Sequence, residues 1–460
     1  MSHAPNSLAA RDIAYMVHPF TQLRDHEEKG PIVITKGDGI YVENDDGRRM
    51  IEGLAGLWCA GLGFSNKRLV EAAKRQLDTL PYSHTFAHRS MEPVIELADK
   101  MVSITPDSLR HVWFCCSGSE AIDSMIKTIW YYQNARGLPE KKIIIGRERG
   151  YHGMTIAASH LTGLPYAHDG WDTPMMDRFR RVTPPNLYRY GYPGESEDAF
   201  TTRLARELDE LIRSEGPERV AAFVAEPVMG AGGVIPPADG YFDKIQPVLK
   251  KHDVLMVADE VINGFGRTGE MWGSNAYDIT PDMMTCAKQM SAAYMPISAV
   301  LMSDAIYQAI ADHSKDLGVF GTGYTYGGHP VTAAVALEAI KIYEEMDIVG
   351  HVQRVSPRFM ERLTQLGSHP LVGEARGVGL IGAVELVADK TSRAQFPKEL
   401  KAAAQVQAHC LNHDLILRGL PGDVVAVCPP MIINAEEIDL VFDRLQAGLD
   451  DALGAMSKAA

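Results

Sequence analysis

Apolar residues recur along this chain in two rhythms. Short unbroken apolar runs lie at 111–116, 142–146, 221–228, 254–258, 283–287 and 296–303. They do not alternate with polar residues, so they predict strands buried on both faces, as in a mostly parallel sheet. Between them the period becomes helical. Leu69, Ala72, Ala73, Leu77 and Leu80 mark one side of 65–80, and Ile122, Met125, Ile126, Ile129 and Trp130 mark one side of a helix that runs to Gly137. Further helices are predicted at 92–102, 200–214, 241–251 and 331–346. Strand and helix alternate from about residue 70 to 300. That is the order of an α/β fold with helices on both faces of the sheet.

The flanks read differently. Residues 1–29 form an amphipathic segment, 32–35 and 40–43 alternate like strands, and Asp45-Asp46-Gly47 marks a turn. Residues 160–198 are rich in Pro, Tyr, Asp and Gly and read as long loops. After the helix at 331–346 come helix 350–366, a strand of small residues at 377–386, helix 400–412, a short strand at 415–418 and a closing helix at 435–453. The expected division is a large domain at 66–330 and a smaller α+β domain built from 1–65 and 331–460.

The ends of the apolar runs carry the candidate chemistry. The run at 254–258 ends on Asp259 and Glu260, and the run at 283–287 ends on Lys288. An acid and a lysine at the carboxyl ends of successive buried strands share the edge where open α/β sheets bind ligands. A lysine there loses solvent, its pKa falls, and more of it is free amine for a Schiff base. Pyridoxal phosphate (PLP) needs that amine and an acid that keeps its ring nitrogen protonated. The plainer alternatives are a helix-capping Asp259 and a surface Lys288.

Other run ends fit the same edge. The run at 111–116 enters Ser117-Gly118-Ser119-Glu120 and a strong helix, whose free N–H groups and positive dipole end suit a phosphate. Simple helix capping by Ser119 is the alternative. The run at 142–146 leads to Gly150-Tyr151-His152-Gly153, an aromatic between glycines that suits stacking on a flat cofactor, or a plain turn. The run at 221–228 carries Glu226-Pro227, and a buried carboxylate is normally paired or used. Trp58, in the Gly-rich stretch 51–63, is either core or a pocket wall. Residues 264–269 match GxGxxG, the turn of nicotinamide oxidoreductases. However, they stand off from the strand end, and GRTGEMWG does not open a helix, so this is the weaker reading.

SGSEA at 117–121, GYHG at 150–153, EP at 226–227, DEVINGFGRTG at 259–269, AKQ at 287–289 and TYGGHP at 325–330 stand in one order and spacing. With them the chain resembles the class III PLP-dependent aminotransferases over nearly its whole length. The resemblance implies the aspartate-aminotransferase-like PLP fold, fold type I. It implies Lys288 as the Schiff-base lysine and proton carrier, Asp259 as the partner of the pyridine nitrogen, and Glu226 beside Asp259. Val261 and Tyr151 would flank the ring, Gly118 and Ser119 would hold the phosphate, and His152 would join the cofactor-binding set. Thr325 would reach the phosphate of a neighbouring subunit, so the resemblance implies a homodimer with shared active sites; pairing into a tetramer stays open.

Arg418 resembles a mobile arginine that pairs with a substrate carboxylate through two parallel hydrogen bonds, a surface ion pair being the alternative. Trp58, Phe86 and Tyr151 would form an aromatic substrate pocket. The segment at 53–63 looks most like the amine–pyruvate or β-alanine–pyruvate branch. The implied reaction moves an amino group from a primary amine or ω-amino acid to pyruvate, by a ping-pong route. Transamination with 4-aminobutyrate or another keto acid, decarboxylation and racemisation on the same fold are the alternatives. Two departures stand out: Gln289 follows the lysine where many members have Gly, and Ser291-Ala292-Ala293-Tyr294 replaces a turn of small residues.

Composition narrows the classes. An apolar content of 46% with 23% charged residues is that of a soluble globular chain. A net charge of −14 argues against nucleic acid. No apolar run reaches the ~20 residues of a membrane helix, and the N-terminus lacks the basic stretch and apolar core of a signal peptide. The six cysteines show no CxxC spacing, so reduced thiols in a cytoplasmic protein are expected and no metal site is foreseen.

Overall fold

A computed structural model describes residue 4, residues 6–174 and residues 176–459. Seven strands make its central sheet: β1 (His111–Cys115), β2 (Ile143–Arg147), β3 (Phe179–Val182), β4 (Val220–Ala225), β5 (Leu255–Asp259), β6 (Met283–Cys286) and β7 (Ser298–Met302). Their order across the sheet is β1-β7-β6-β5-β4-β2-β3. Strand β7 runs antiparallel to both neighbours and every other pair is parallel. Every residue of β2, β4, β5, β6 and β7 is buried. The unbroken apolar runs follow from that burial on both faces. Among the described residues, no helix is long and apolar enough to cross a membrane.

The flanking segments fold together. The N-terminal hairpin strands Ile34–Asp38, Tyr41–Asn44 and Arg49–Glu52 form one sheet with Leu415–Ile416, which pairs parallel with Arg49–Glu52. A second small sheet joins Val372–Val378, Ile381–Leu386, Val424–Val427 and Arg418–Leu420. The N-terminal segment is two helices, Leu8–Tyr15 and Leu23–Lys29; residues 1–3 and 5 of that expectation lie outside the described residues. The helix Pro330–Glu345 packs on Lys67–Thr79, Glu92–Ile104 and the turn Lys288–Ser291. It therefore leans on helices beside the large sheet.

Three local expectations change. The stretch 160–198 holds β3, which forms the sheet edge. Arg180 and Arg181 break its apolar run, because an edge strand need bury only part of its surface. The expected single strand at 377–386 is the Gly379-turned hairpin Val372–Val378 and Ile381–Leu386. The helix Asp304–Leu317, capped by Ser303, was not foreseen.

The 264–269 turn is no dinucleotide cradle. A Cβ at Gly264 would meet the Trp272 ring at 2.7 Å, and Phe265 and Trp272 are buried 4.7 Å apart. Arg267 Nη1 donates to the carbonyls of Leu380 at 3.0 Å and Pro429 at 2.7 Å. The turn thus bolts the central sheet to the C-terminal part, and the next helix, Gly273–Ala276, is only four residues long. The nicotinamide reading falls with it.

Candidate active site

A cavity of about 290 Å³ opens at the carboxyl edge of the central sheet. Asp259 closes β5, and Lys288 stands two residues beyond β6. The strands are parallel neighbours with Asp259 opposite Thr285, so both side chains emerge on the same edge. Lys288 starts a tight turn with φ +46°, and Ala292 and Ala293 follow at +49° and +71°. Non-glycine residues in this region store strain that the surroundings must offset. Buried Gln289 does much of that. Its amide donates to the Trp58 carbonyl at 3.1 Å, and its own carbonyl accepts from the Tyr343 hydroxyl at 2.9 Å. Its side chain lies where a Cβ on Gly61 would stand, which gives the departure from Gly at this position a packing role.

The floor of the cavity holds two engaged carboxylates. Asp259 Oδ2 lies 2.7 Å from His152 Nδ1, both groups being buried. Its Oδ1 accepts from the Val261 amide at 3.1 Å and the Thr285 hydroxyl at 3.3 Å. The ring N–H of His152 on Nδ1 donates to the acid, and Nε2 has no partner among the described residues. Glu226 accepts from the amides of Tyr151 at 3.0 Å and Gly230 at 2.8 Å. Burial raises the Glu226 pKa, and the nearby Asp259 charge raises it further. Burial also pushes the Lys288 ammonium below its ordinary range, against the pull of Asp259. The lysine therefore holds more free amine near neutral pH than a surface lysine does.

The opposite side of the floor is the start of the helix Gly118–Ala135. Its N-cap is Ser117, whose hydroxyl accepts from the Glu120 amide at 3.2 Å; Ser119, the expected alternative cap, sits inside the first turn. Ser119 Oγ accepts from the Met154 amide at 3.1 Å. The first-turn amides of Gly118 and Ser119 have no helical acceptor, and both residues line the cavity. Space there is tight: a Cβ on Gly118 would meet Val261 Cγ1 at 3.2 Å, and one on Gly153 (φ +124°) would come within 2.6 Å of Ser119 Oγ. Glycine at these two points lets the 153 loop, the helix start and Val261 converge.

Trp58, Tyr151, Leu57 and Ile262 wall the cavity, and Phe20, Tyr166 and Arg418 stand with them. The Arg418 guanidinium lies 5.7 Å from the Phe20 ring centre and makes no ion pair or side-chain hydrogen bond among the described residues. The surface-ion-pair alternative for Arg418 therefore does not hold.

Two of the foreseen residues lie away from this cavity: Phe86, expected in it, and Thr325, expected at the phosphate of a neighbouring subunit. Phe86 is 46% exposed and packs on Gly323 in a separate groove along edge strand β1. The loop that carries it runs along that edge, so Phe86 does not join Trp58 and Tyr151 within one chain. Thr325 is exposed in the same Gly-rich region, its carbonyl accepting from the Tyr82 hydroxyl at 2.9 Å. Phe20, Tyr166 and Leu57 were missed, since aromatic and apolar residues in a loop or N-terminal segment carry no spacing signal.

The model of the class-III aminotransferase family matches residues 23–449. The chain belongs to the class-III aminotransferases. Gamma aminobutyrate transaminase 1, mitochondrial, of Solanum lycopersicum is 47% identical over 425 residues, 92% of this chain and 82% of that protein. The omega transaminase of Pseudomonas jessenii, solved with PMP, superposes with a TM-score of 0.96 at 47% identity, covering 99% of this chain and 100% of that one. A transaminase solved with L-alanine superposes with a TM-score of 0.90 at 50% identity, covering 92% and 100%. The protein is thus a PLP-dependent aminotransferase of fold type I, acting on small amines and keto acids. Its cavity fits the cofactor: an amine, a buried acid, free amides at a helix start, and the Tyr151 and Val261 side chains share one enclosed space.

Proposed function

We propose that this aminotransferase moves the amino group of a primary amine or ω-amino acid to pyruvate, giving alanine. Arg418 is the observation that carries the reading. Among the described residues, it and Lys288 are the cavity's only lysine or arginine side chains, and Lys288 is the reacting amine. A single guanidinium suits an acid with one carboxylate, such as pyruvate, better than one with two. The apolar walls around it accept the uncharged body of an amine. The curated relatives are named gamma-aminobutyrate transaminases, which favours 4-aminobutyrate as one such donor, its carboxylate also meeting Arg418. The test is product analysis with a simple primary amine or 4-aminobutyrate as donor and pyruvate or 2-oxoglutarate as acceptor. Alanine formed faster than glutamate supports the reading, and the reverse preference overturns it.

The residue roles are part of the proposal. When bound, PLP supplies the aldehyde that takes up the amine and the ring that draws electrons from the substrate carbon. Lys288 Nζ, its pKa lowered by burial, would take the proton from that carbon and deliver it to the carbon that carried the aldehyde. Asp259, oriented by His152, the Val261 amide and Thr285, presents a negative charge to the ring nitrogen and holds its proton there. Glu226 fixes the Tyr151 loop through the Tyr151 amide. The amides of Gly118 and Ser119 hold the phosphate. Val261 and Tyr151 confine the ring, and the apolar walls keep water from the reacting carbon.

The shared-site homodimer belongs to the same reading. Thr325 and Phe86 are exposed beside one groove and away from their own chain's cavity, as residues that complete a neighbour's site would be. Sedimentation should give at least a dimer mass, and a monomer with full activity would overturn this part.

A further inference from the structure

We propose that Asp12, His18 and His26 form a binding site for a divalent transition-metal ion of the zinc type. Asp12 lies on the helix Leu8–Tyr15, His26 on Leu23–Lys29, and His18 on the link between them. Asp12 Oδ1 is 2.9 Å from Nε2 of His18 and 2.9 Å from Nε2 of His26, and Oδ2 is 3.0 Å from His18 Nε2. The three donor atoms lie within 4.8 Å of one another. The two imidazoles face each other with centroids 4.0 Å apart. Side-chain exposures of 16% for Asp12, 25% for His18 and 11% for His26 leave the cluster shielded but open on one side.

Hydrogen bonding alone is an awkward account of this geometry. It requires both rings to carry their proton on Nε2, so that two N–H dipoles converge side by side on one carboxylate oxygen. An ion placed between the three groups uses both nitrogen lone pairs and the carboxylate charge instead. Zinc takes imidazole nitrogen and carboxylate oxygen at about 2.0–2.2 Å in a tetrahedral arrangement, which sets neighbouring donor atoms about 3.3 Å apart. The observed 2.9 Å nitrogen–oxygen separations need to open by only about 0.4 Å to reach that spacing. Two imidazoles select a transition ion over calcium or magnesium, which prefer oxygen. Three protein donors leave the fourth position to water.

The site also has a place in the fold. The link between His18 and His26 carries Phe20, which holds a left-handed backbone (φ +53°), lines the cavity and lies edge-on to Tyr166 at 5.4 Å. An ion binding His18 and His26 would pin that link at both ends and hold Phe20 beside Arg418.

The experiment is calorimetric titration of Zn²⁺ into the PLP-loaded enzyme, free of any histidine tag, with Asp12→Ala and His26→Ala alongside. The expected result is one ion per chain for the unaltered protein. Each substitution should weaken binding more than about tenfold, the least that losing even an outer-sphere partner costs a metal site. No binding, or binding weakened less than tenfold in both variants, overturns the proposal. Co²⁺ added to the unaltered enzyme keeps the test decisive should a variant fail to fold. The d–d bands of a four- or five-coordinate nitrogen–oxygen site are expected, and their absence counts against the site.

Discussion

The floor and the mouth of the cavity are built on opposite terms. At the floor, Asp259 and Glu226 are each engaged by two or more protein donors, and Lys288 sits in a strained turn braced by Gln289. At the mouth, Arg418 lines the cavity with no carboxylate to meet it among the described residues. A group whose hydrogen bonds are already made stays where the chemistry needs it. A cation left without a partner is a place for an anion that arrives and leaves with each turnover. Under the proposed function, the chemical step falls to the floor and the choice of keto acid to the mouth.

The strongest way to break that division is at Lys288. Lys288→Ala should lower multiple-turnover transamination by about 10³-fold or more, since it removes the proton carrier as well as the amine. Steady-state rates at saturating substrates check this, and retained turnover would end the assignment. Asp259→Asn comes next. It keeps the shape but loses the charge and unsettles the His152 contact, and kcat should fall by about 10²-fold or more with both donors and both acceptors. A loss confined to one acceptor would move Asp259 out of the shared step.

Arg418→Leu addresses the mouth. Losing a charge-assisted pair is worth about 1.5–3 kcal/mol, so KM for pyruvate should rise by roughly 10- to 100-fold. The amine half of the reaction should be nearly unchanged for a donor without a carboxylate.

Glu260 sharpens the contrast with the smallest effect. It neighbours Asp259 but points away from the cavity, accepting from the Gly273 amide at 2.9 Å and from the Ser274 amide and hydroxyl at 2.6 Å each. Burial raises its pKa from 4.5 to about 7. The folded state therefore binds this proton more tightly than the unfolded chain. Its contribution to stability is largest below about pH 4.5 and is lost as pH rises to about 7, an effect of about 3 kcal/mol at most. Glu260→Gln should flatten the fall in melting temperature between about pH 5 and pH 7 while leaving the transamination rate close to normal. An unchanged pH slope, or a lost rate, would contradict the structural role.

Much of this was legible in the chain because burial on both faces writes a simple signature. The runs that became β2, β4, β5, β6 and β7 are unbroken and apolar, and the residues at their ends gather at one edge by the geometry of parallel strands. What was not legible depends on long-range partners. β3 hides behind Arg180 and Arg181, whose donors satisfy Glu215 and the carbonyls of His160 and Thr162. The antiparallel sense of β7 has no local signal. The contact between His152 and Asp259 joins residues 107 positions apart. Phe20 reaches the cavity from the N-terminal segment, and Phe86 leaves it for the β1 edge, although an aromatic residue in a loop reads the same in both cases.

The division between floor and mouth is tested most directly by following the two half-reactions separately. The cofactor's visible absorption is recorded by rapid mixing, first with a carboxylate-free primary amine and then with pyruvate, for the unaltered enzyme and for Arg418→Leu. The amine half-reaction should stay within about threefold of normal, and the half-saturation of the pyruvate half-reaction should rise by roughly 10- to 100-fold. Equal damage to both halves, or none to either, would contradict the division.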